Sequence, residues 1–470
     1  MLFSSMTFIF IFLPVVLLLY FCLPAKFRNS TLLWASIFFY AWGEPRYLLI
    51  LFITVFCSYL GALLIDANRK NAVLWLCSAV CADLGILIYF KYTGFIVENL
   101  NQLFHSNIDF LHVLMPIGIS FYTFQALSYL VDVYRKECEV QKNFYDLTLY
   151  IVLFPQLVAG PIVKYHDVAA QIRERSVTVD DFHYGLRRFI AGLSKKILIA
   201  NTVGAVAERI FAQDPDSFGP GIAWIGAVFY TLQLYFDFSG YSDMAIGLCR
   251  LFGFRIQENF VYPYISRSIT EFWRRWHISL STWFKEYLYI PLGGNRCGNV
   301  RMYFNLFIVF LTTGIWHGAS WNFVIWGLWH GFFIILEKLT SFHKTPGGRI
   351  KQIFAHIYTI LVFVTGWVFF RSESSLYALR FIKKMFTFSG KEYVFNHATL
   401  FLSNMEILMF AAGLLCSMPL FKGLFALPEN NSIAGRIKLL ASDAYFLCLF
   451  ILSVMFIAKS SFNPFIYFRF

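Results

Sequence analysis

Long apolar runs separated by short polar breaks set the pattern of this chain. A membrane-crossing helix needs about 20 apolar residues in succession. Candidate runs fall near residues 5–23, 31–42, 46–65, 73–90, 112–134, 146–163, 186–205, 222–252, 303–316, 318–338, 353–371, 398–420 and 440–459. Several are short or broken, so the pattern predicts about 11 to 12 crossings plus re-entrant or interfacial helices. The fold class expected is an all-α polytopic membrane protein. No polar block is long enough to build a separate soluble domain.

The breaks inside the runs carry their own information. In MPIGISFYTFQALSYLVDVYR, Pro116 and Gly118 should interrupt or kink the backbone, and Gln125 and Ser128 are polar in an apolar setting. FPQLVAGPIVKY, residues 154–165, sets two prolines and a glycine near a span end. Irregular backbone at membrane depth is tolerated where it is buried in protein or lines a cavity. Both stretches are therefore candidate cavity walls, with packing kinks as the other reading. YGLRRFIAGLSKKILIA spaces Arg187, Arg188, Lys195 and Lys196 by seven and eight, along one helical face. Such a face suits an interfacial helix on anionic lipid, or a contact to a donor's phosphates. FDFSGYSDMAIG places Asp237 and Asp243 inside a span, where a carboxylate is costly and a functional candidate by default. Six residues apart, they stand about 240° apart round a helix and do not share a face. Asp243 is a candidate for orienting a site residue, or for bonding another helix.

Composition agrees with the pattern: 58% of the 470 residues are hydrophobic and 14% charged, below the roughly 25% of soluble domains. The net charge of +12 is spread through short loops, which argues for cytoplasmic loop charge and against nucleic acid. Lys26 and Arg28 follow the first run, and Lys422, Arg436 and Lys438 outweigh Glu429 before the last. Both loops should face the cytoplasm, which puts both termini outside. The N-terminus lacks a basic leader region and reads as a retained first span. The nine cysteines have no metal-type partners and are expected as free, structural thiols. No phosphate loop, GxSxG elbow, HExxH or Cys/His zinc spacing occurs, so no metal site is expected.

The densest polar stretch is SITEFWRRWHISLSTWFKEYLYIPLGGNR, residues 268–296. Ser268 with Glu271 makes a capping box, and Glu271 precedes Arg275 by four in the favourable order. A short helix carrying His277 is expected, flanked by Trp273, Trp276 and Trp283 and ended by Pro291 and Gly293–Gly294. His317 follows in TTGIWHGASW, and His330 in a second WHG. His317 and His330 lie about 220° apart on a continuous helix and should not face the same way. An intramembrane histidine commonly bonds a neighbouring helix; a neutral imidazole in a cavity is equally a natural base for a hydroxyl.

These motifs resemble the alginate O-acetyltransferase branch of the membrane-bound O-acyltransferases (MBOAT). The match rests on residues 236–247, the FWRRWHISLS run, TTGIWHGASWNFVIWGLWHG, the opening MLFSS, MPIGISFY and the closing PFIYFRF, so it covers almost the whole chain. The resemblance implies one membrane domain, a ring of helices about a central tunnel. It would comprise N-terminal spans over 1–110, a catalytic core over 111–340, C-terminal spans over 341–458 and an extracytoplasmic aromatic tail over 459–470. It implies an acetyl group taken from cytoplasmic acetyl-CoA, with no permanently bound cofactor, and passed toward an extracellular polysaccharide from a bacterial inner membrane.

By the same resemblance His317 is the essential catalytic residue and His277 lines its site, with Asp243, Trp316, Trp276, Gln125 and Ser320 as tunnel-lining candidates. Arg274, Arg275, Lys195 and Lys196 are candidates for holding the donor, and His330 is read as structural. Tyr467 in the tail is either an interfacial anchor or the acceptor that relays the acyl group to an SGNH-type partner such as AlgJ or AlgX. A phenol titrating near 10 needs a base for that role. Two departures from the family pattern are Lys285–Glu286, where Arg-Asp is frequent, and Arg469 in place of a glutamine. Peptidoglycan or teichoic-acid acylation, the latter from a carrier-protein thioester, remains open beside the alginate-type reading. An exporter or flippase would keep substrate flux without His317, and a membrane scaffold would keep its partners without either histidine.

Overall fold

The computed structural model describes residues 1–110, 114–342, 347–387, 397, 401–420 and 433–459. Among them helices account for the ordered backbone and no strand occurs. This is what an apolar chain requires, since only helices satisfy their own backbone groups in hydrocarbon without a closed barrel. Among the described residues, five helical stretches are long and apolar enough to cross a membrane: Pro45–Ala67, Arg69–Phe104, Val179–Phe211, Arg349–Arg371 and Gly435–Lys459. The protein is a multi-pass membrane protein. All nine cysteines are free.

The chain forms two compact units, Met1–Phe189 with Met244–Gln257, and Ile190–Asp243 with Glu258–Phe470. In the first, α1 (Leu13–Cys22), α2 (Arg28–Gly43), α3 (Leu48–Ala67), α4 (Ala72–Phe104) and α5 (Ile119–Arg135) supply the long elements. The helices α3, α4 and α5 pack against one another. The expected break at Pro116–Gly118 is a helix start: Gly118 takes φ +77°, and a Cβ there would lie 2.6 Å from the Leu157 carbonyl oxygen. After α6 (Phe144–Val152) and the single turn α7 (Phe154–Leu157), residues 158–164 are non-helical, the irregular backbone anticipated around FPQLVAGP. The helices α8 (Tyr165–Arg173) and α9 (Val179–Ser194) follow, and α9 opens on a Thr178–Asp181 capping pair.

In the second unit a π-helical turn, Lys195–Ala200, leads into α10 (Asn201–Phe211); α11 (Pro220–Leu251), unbroken for 32 residues, belongs to this unit up to Asp243. The chain then runs extended to α12 (Ile269–Arg275) and α13 (Ile278–Phe284). The helical pair α14 (Asn299–His317) and α15 (Trp321–Leu339) packs closely, followed by α16 (Arg349–Arg371), α17 (Ser375–Phe386), α18 (Asn404–Cys416) and α19 (Ile433–Lys459). Small residues make the α14–α15 approach possible. A Cβ on Gly327 would run into the Phe310 carbonyl oxygen and lie 2.9 Å from the Gly314 Cα. Large aromatics such as Trp326, Trp367, Phe272 and Phe363 fill the core around this pair.

The cationic face expected over Arg187–Lys196 is not an interfacial stripe. Arg187 and Lys196 are 3% and 2% exposed. Lys195 meets Asp243 at 2.6 Å and Lys196 meets Asp237 at 2.5 Å. The two carboxylates, six residues apart on α11, thus answer the two consecutive lysines.

Candidate active site

The Ser268 cap forms as expected: its hydroxyl accepts from the Glu271 N–H at 2.9 Å. Glu271 in turn accepts from the Arg267 N–H, and Arg275 pairs with it at 2.9 Å. The helix then stops at Arg275, and His277 is not on it. His277 occupies the left-handed region, φ +43° and ψ +56°, between α12 and α13. This corrects the expectation of one helix through His277. Asn259 explains the break. Its carbonyl oxygen accepts from the Ile278 N–H at 2.9 Å, and its side-chain Oδ1 accepts from the Ser279 N–H at 3.2 Å and the Ser279 hydroxyl at 2.9 Å. Those bonds hold the junction against the extended segment after α11, where the Val261 N–H also donates to the Arg275 carbonyl.

The same contacts fix the chemistry of the ring. The Ser279 N–H can only donate, so the atom facing it is the Asn259 oxygen. That oxygen lies 3.1 Å from His277 Nδ1, which must therefore carry the proton. Asn259 Nδ2 donates onward to Ser242 at 3.1 Å. His277 Nε2 is left as the lone-pair nitrogen, buried and without a partner among the described residues. Phe238 meets the ring edge-on at 4.6 Å between centroids, and Phe260 lies over it at 6.3 Å.

His317 closes α14, and the extended Gly318 turns the chain into α15. Ser320, a tunnel-lining candidate, serves as the α15 N-cap, its oxygen facing the Asn322 N–H. Asn322 is tied to Ser372 and Ser375 at 2.6 and 2.7 Å, which anchors the turn to the end of α16. Trp316 joins the two histidines. Its ring centroid lies 6.4 Å from His277 and 4.9 Å from His317, edge-on to both. Trp326 continues the series, 4.8 Å from His317 and 5.3 Å from His330. Three histidines thus alternate with two tryptophans through the aromatic core. His330 is fully buried against Phe272, Trp273 and Trp367, with Gly366 of α16 giving it room.

The other candidates have separate places. Trp276 stacks on Tyr264 and packs against Trp367 at 4.8 Å. Asp243 bonds Lys195, and Lys196 bonds Asp237, so neither lysine is an unpaired cation awaiting phosphate. Arg274 is exposed, while Arg275 is engaged with Glu271 and the Val261 carbonyl. Gln125 is buried on α5 in the first unit. Tyr467 lies outside the described residues. Sequence reasoning passed over Asn259, which sits in a plain QENFVY stretch eighteen residues before His277; an asparagine outside any helix pattern was its one local signal.

One group among the described residues gathers ligand-type atoms as a metal would need: Asp132, Glu137 and His166, within 4.8 Å. His166 Nδ1 lies 2.8 Å from Asp132 and Nε2 3.2 Å from Asp167. Bonding to Asp132 and then Asp167 pushes this ring up to about 10. At neutral pH that favours the charged ring, which bridges the two carboxylates.

The comparisons agree with this architecture. The model of the MBOAT, membrane-bound O-acyltransferase family, matches residues 72–378. The chain is 42% identical to a probable alginate O-acetylase of Pseudomonas putida, covering the whole of both proteins. It is 40% identical to the corresponding protein of Azotobacter vinelandii, again over both full lengths. A peptidoglycan O-acetyltransferase of Helicobacter pylori is 35% identical over all of this chain and 98% of its own. The chain belongs to the membrane-bound O-acyltransferase family. It is an O-acyltransferase enzyme.

Proposed function

We propose that this enzyme takes an acetyl group from cytoplasmic acetyl-CoA and passes it outward for O-acetylation of a cell-envelope polysaccharide of the alginate type. The observation that carries the reading is the pair His277 and His317 on either side of Trp316, with His277 locked as a neutral acceptor by Asn259. His317 takes the proton of the attacking hydroxyl as its oxygen bonds the acetyl carbon. The carbon–sulfur bond breaks, and the proton goes to the departing thiolate, releasing CoA as its thiol. Ending α14, His317 has backbone carbonyls around it that favour the passing positive charge. His277 Nε2 accepts a hydrogen bond from the donor's pantetheine amide and so sets the thioester in line.

Tyr467 is the proposed first acceptor, in an extracytoplasmic tail from which an SGNH-type partner collects the acetyl group. The setting is a bacterial inner membrane with both termini outside. That the Pseudomonas and Azotobacter relatives are probable alginate O-acetylases supports an alginate-type polymer. The Helicobacter relative, matched over 98% of its length, supports peptidoglycan as the second reading. Free CoA released from radiolabelled acetyl-CoA by the protein in nanodiscs tests the donor. His317→Ala should lower release at least 100-fold, within the range general-base removal produces. Tyr467→Phe should keep acetyl-CoA binding and lose label on the chain. Release undiminished in His317→Ala would remove the assignment of the base.

A further inference from the structure

A groove of about 750 Å³ runs between α1 and α2 in the first unit, with walls that include Val15, Leu19, Ala35 and Phe38. It ends on Trp42 at one side and on Phe27 with Ser30 and Thr31 at the other. The volume is in the range that holds small ligands. Its walls are open to the surroundings: Val15, Phe38 and Trp42 are 49%, 52% and 59% exposed. In a membrane those faces meet hydrocarbon, and a concave apolar channel along a helix pair confines a chain where a convex face does not.

The charges lie at one end. Lys26 is exposed and its ammonium stands 5.1 Å from the Phe27 ring, at the groove's end. Arg28 begins α2, with its guanidinium over Tyr20 at 5.4 Å. Tyr20 is buried and not part of the groove, so Arg28 is turned away from it, while Lys26 has no carboxylate partner among the described residues. The start of α2 adds the positive end of a helix dipole. A cation and a helix start at the end of an apolar channel match an anionic headgroup with acyl tails. The loop with Lys26 and Arg28 is also the one whose charge assigns it to the cytoplasmic face, where anionic lipid is concentrated.

We propose that the α1–α2 groove is a specific site for one anionic diacyl phospholipid, its tails along Val15, Leu19, Ala35 and Phe38 and its phosphate at Lys26. The site is independent of the acyl-transfer reading. The test uses the full chain in nanodiscs of mixed phosphatidylglycerol and phosphatidylethanolamine, with a diazirine on the phosphatidylglycerol tail, followed by native mass spectrometry. One phosphatidylglycerol should remain bound, with crosslinks on α1 and α2. Lys26→Ala should lower the preference for phosphatidylglycerol about fivefold, the value of one basic residue at a lipid surface. Val15→Trp, at an exposed position, should fill the channel and abolish retention with an unchanged unfolding midpoint. Crosslinks spread evenly onto exposed apolar helices such as α19, retention unaltered in a folded Val15→Trp protein, or a second copy of the chain crosslinked in the groove would each overturn the proposal.

Discussion

Asn259 Oδ1 holds His277 Nδ1 at 3.1 Å and, through the Ser279 N–H, holds the backbone that places the ring. One side chain thus sets both tautomer and position. Asn259→Ala should free the ring to flip and lower CoA release by about 10- to 100-fold, with a larger effect on turnover than on KM. Asn259→Asp separates the two roles. A carboxylate still accepts from Nδ1 but favours the charged ring, so the acidic limb of the pH–rate profile should move to higher pH. A profile that stays in place in a folded Asn259→Asp protein would show that His277 is not titrating in the reaction.

How far the sequence spoke follows from which interactions are local. Ser268, Glu271 and Arg275 form the cap and ion pair their spacing predicts, because both are settled within one helical turn. The left-handed His277 was illegible: a non-glycine residue in that region is uncommon and is held here by Asn259, eighteen positions away. The lysines misled for a related reason. A seven-and-eight spacing shows which residues share a face but not what the face meets, and carboxylates on α11 answer Lys195 and Lys196. His317 was singled out by motif resemblance rather than periodicity; its aromatic surroundings come from α15 and α16 and needed the fold.

The Lys196–Asp237 pair gives a second prediction. Both side chains are almost wholly enclosed, 2% and 3% exposed. Lys196→Ala removes the cation nearest the buried Asp237 carboxylate and should cost about 3–5 kcal/mol. Replacing both, Lys196→Met with Asp237→Leu, should restore most of that stability, because a buried pair is often no better than an apolar one. Thermal unfolding in a single detergent distinguishes the cases. Equal loss in the single and double variants would mean that the pair is needed for more than charge balance.

Gly327 tests whether the α14–α15 approach places His317. An added methyl meets the Phe310 carbonyl oxygen and the Gly314 backbone, neither of which is a flexible side-chain end. Gly327→Ala should therefore push the helices apart at a cost of about 1–3 kcal/mol. His317 lies three residues beyond Gly314 on the same helix, so acyl transfer should fall more than tenfold even where the protein stays folded. Gly221→Ala is the control, since a Cβ there meets nothing within 4 Å. It should leave both measurements within error of the parent, and matching behaviour in the two variants would sink the argument.

His166 provides the pH prediction, at a position on α8 outside the membrane-spanning helices. Its partners Asp132 and Asp167 raise it to about 10, against about 6.5 in an unfolded chain. A raised histidine adds stability that is fully present below its unfolded value and is lost as pH rises through the folded one. The unfolding midpoint should therefore decline between about pH 6.5 and 10 by more in the parent than in His166→Gln. Because the ring is partly exposed, 29% by side chain, salt should shrink the difference. Parallel curves for the two proteins across that window would place the proton of His166 elsewhere and leave the Asp132–His166–Asp167 bridge without a charge to hold it.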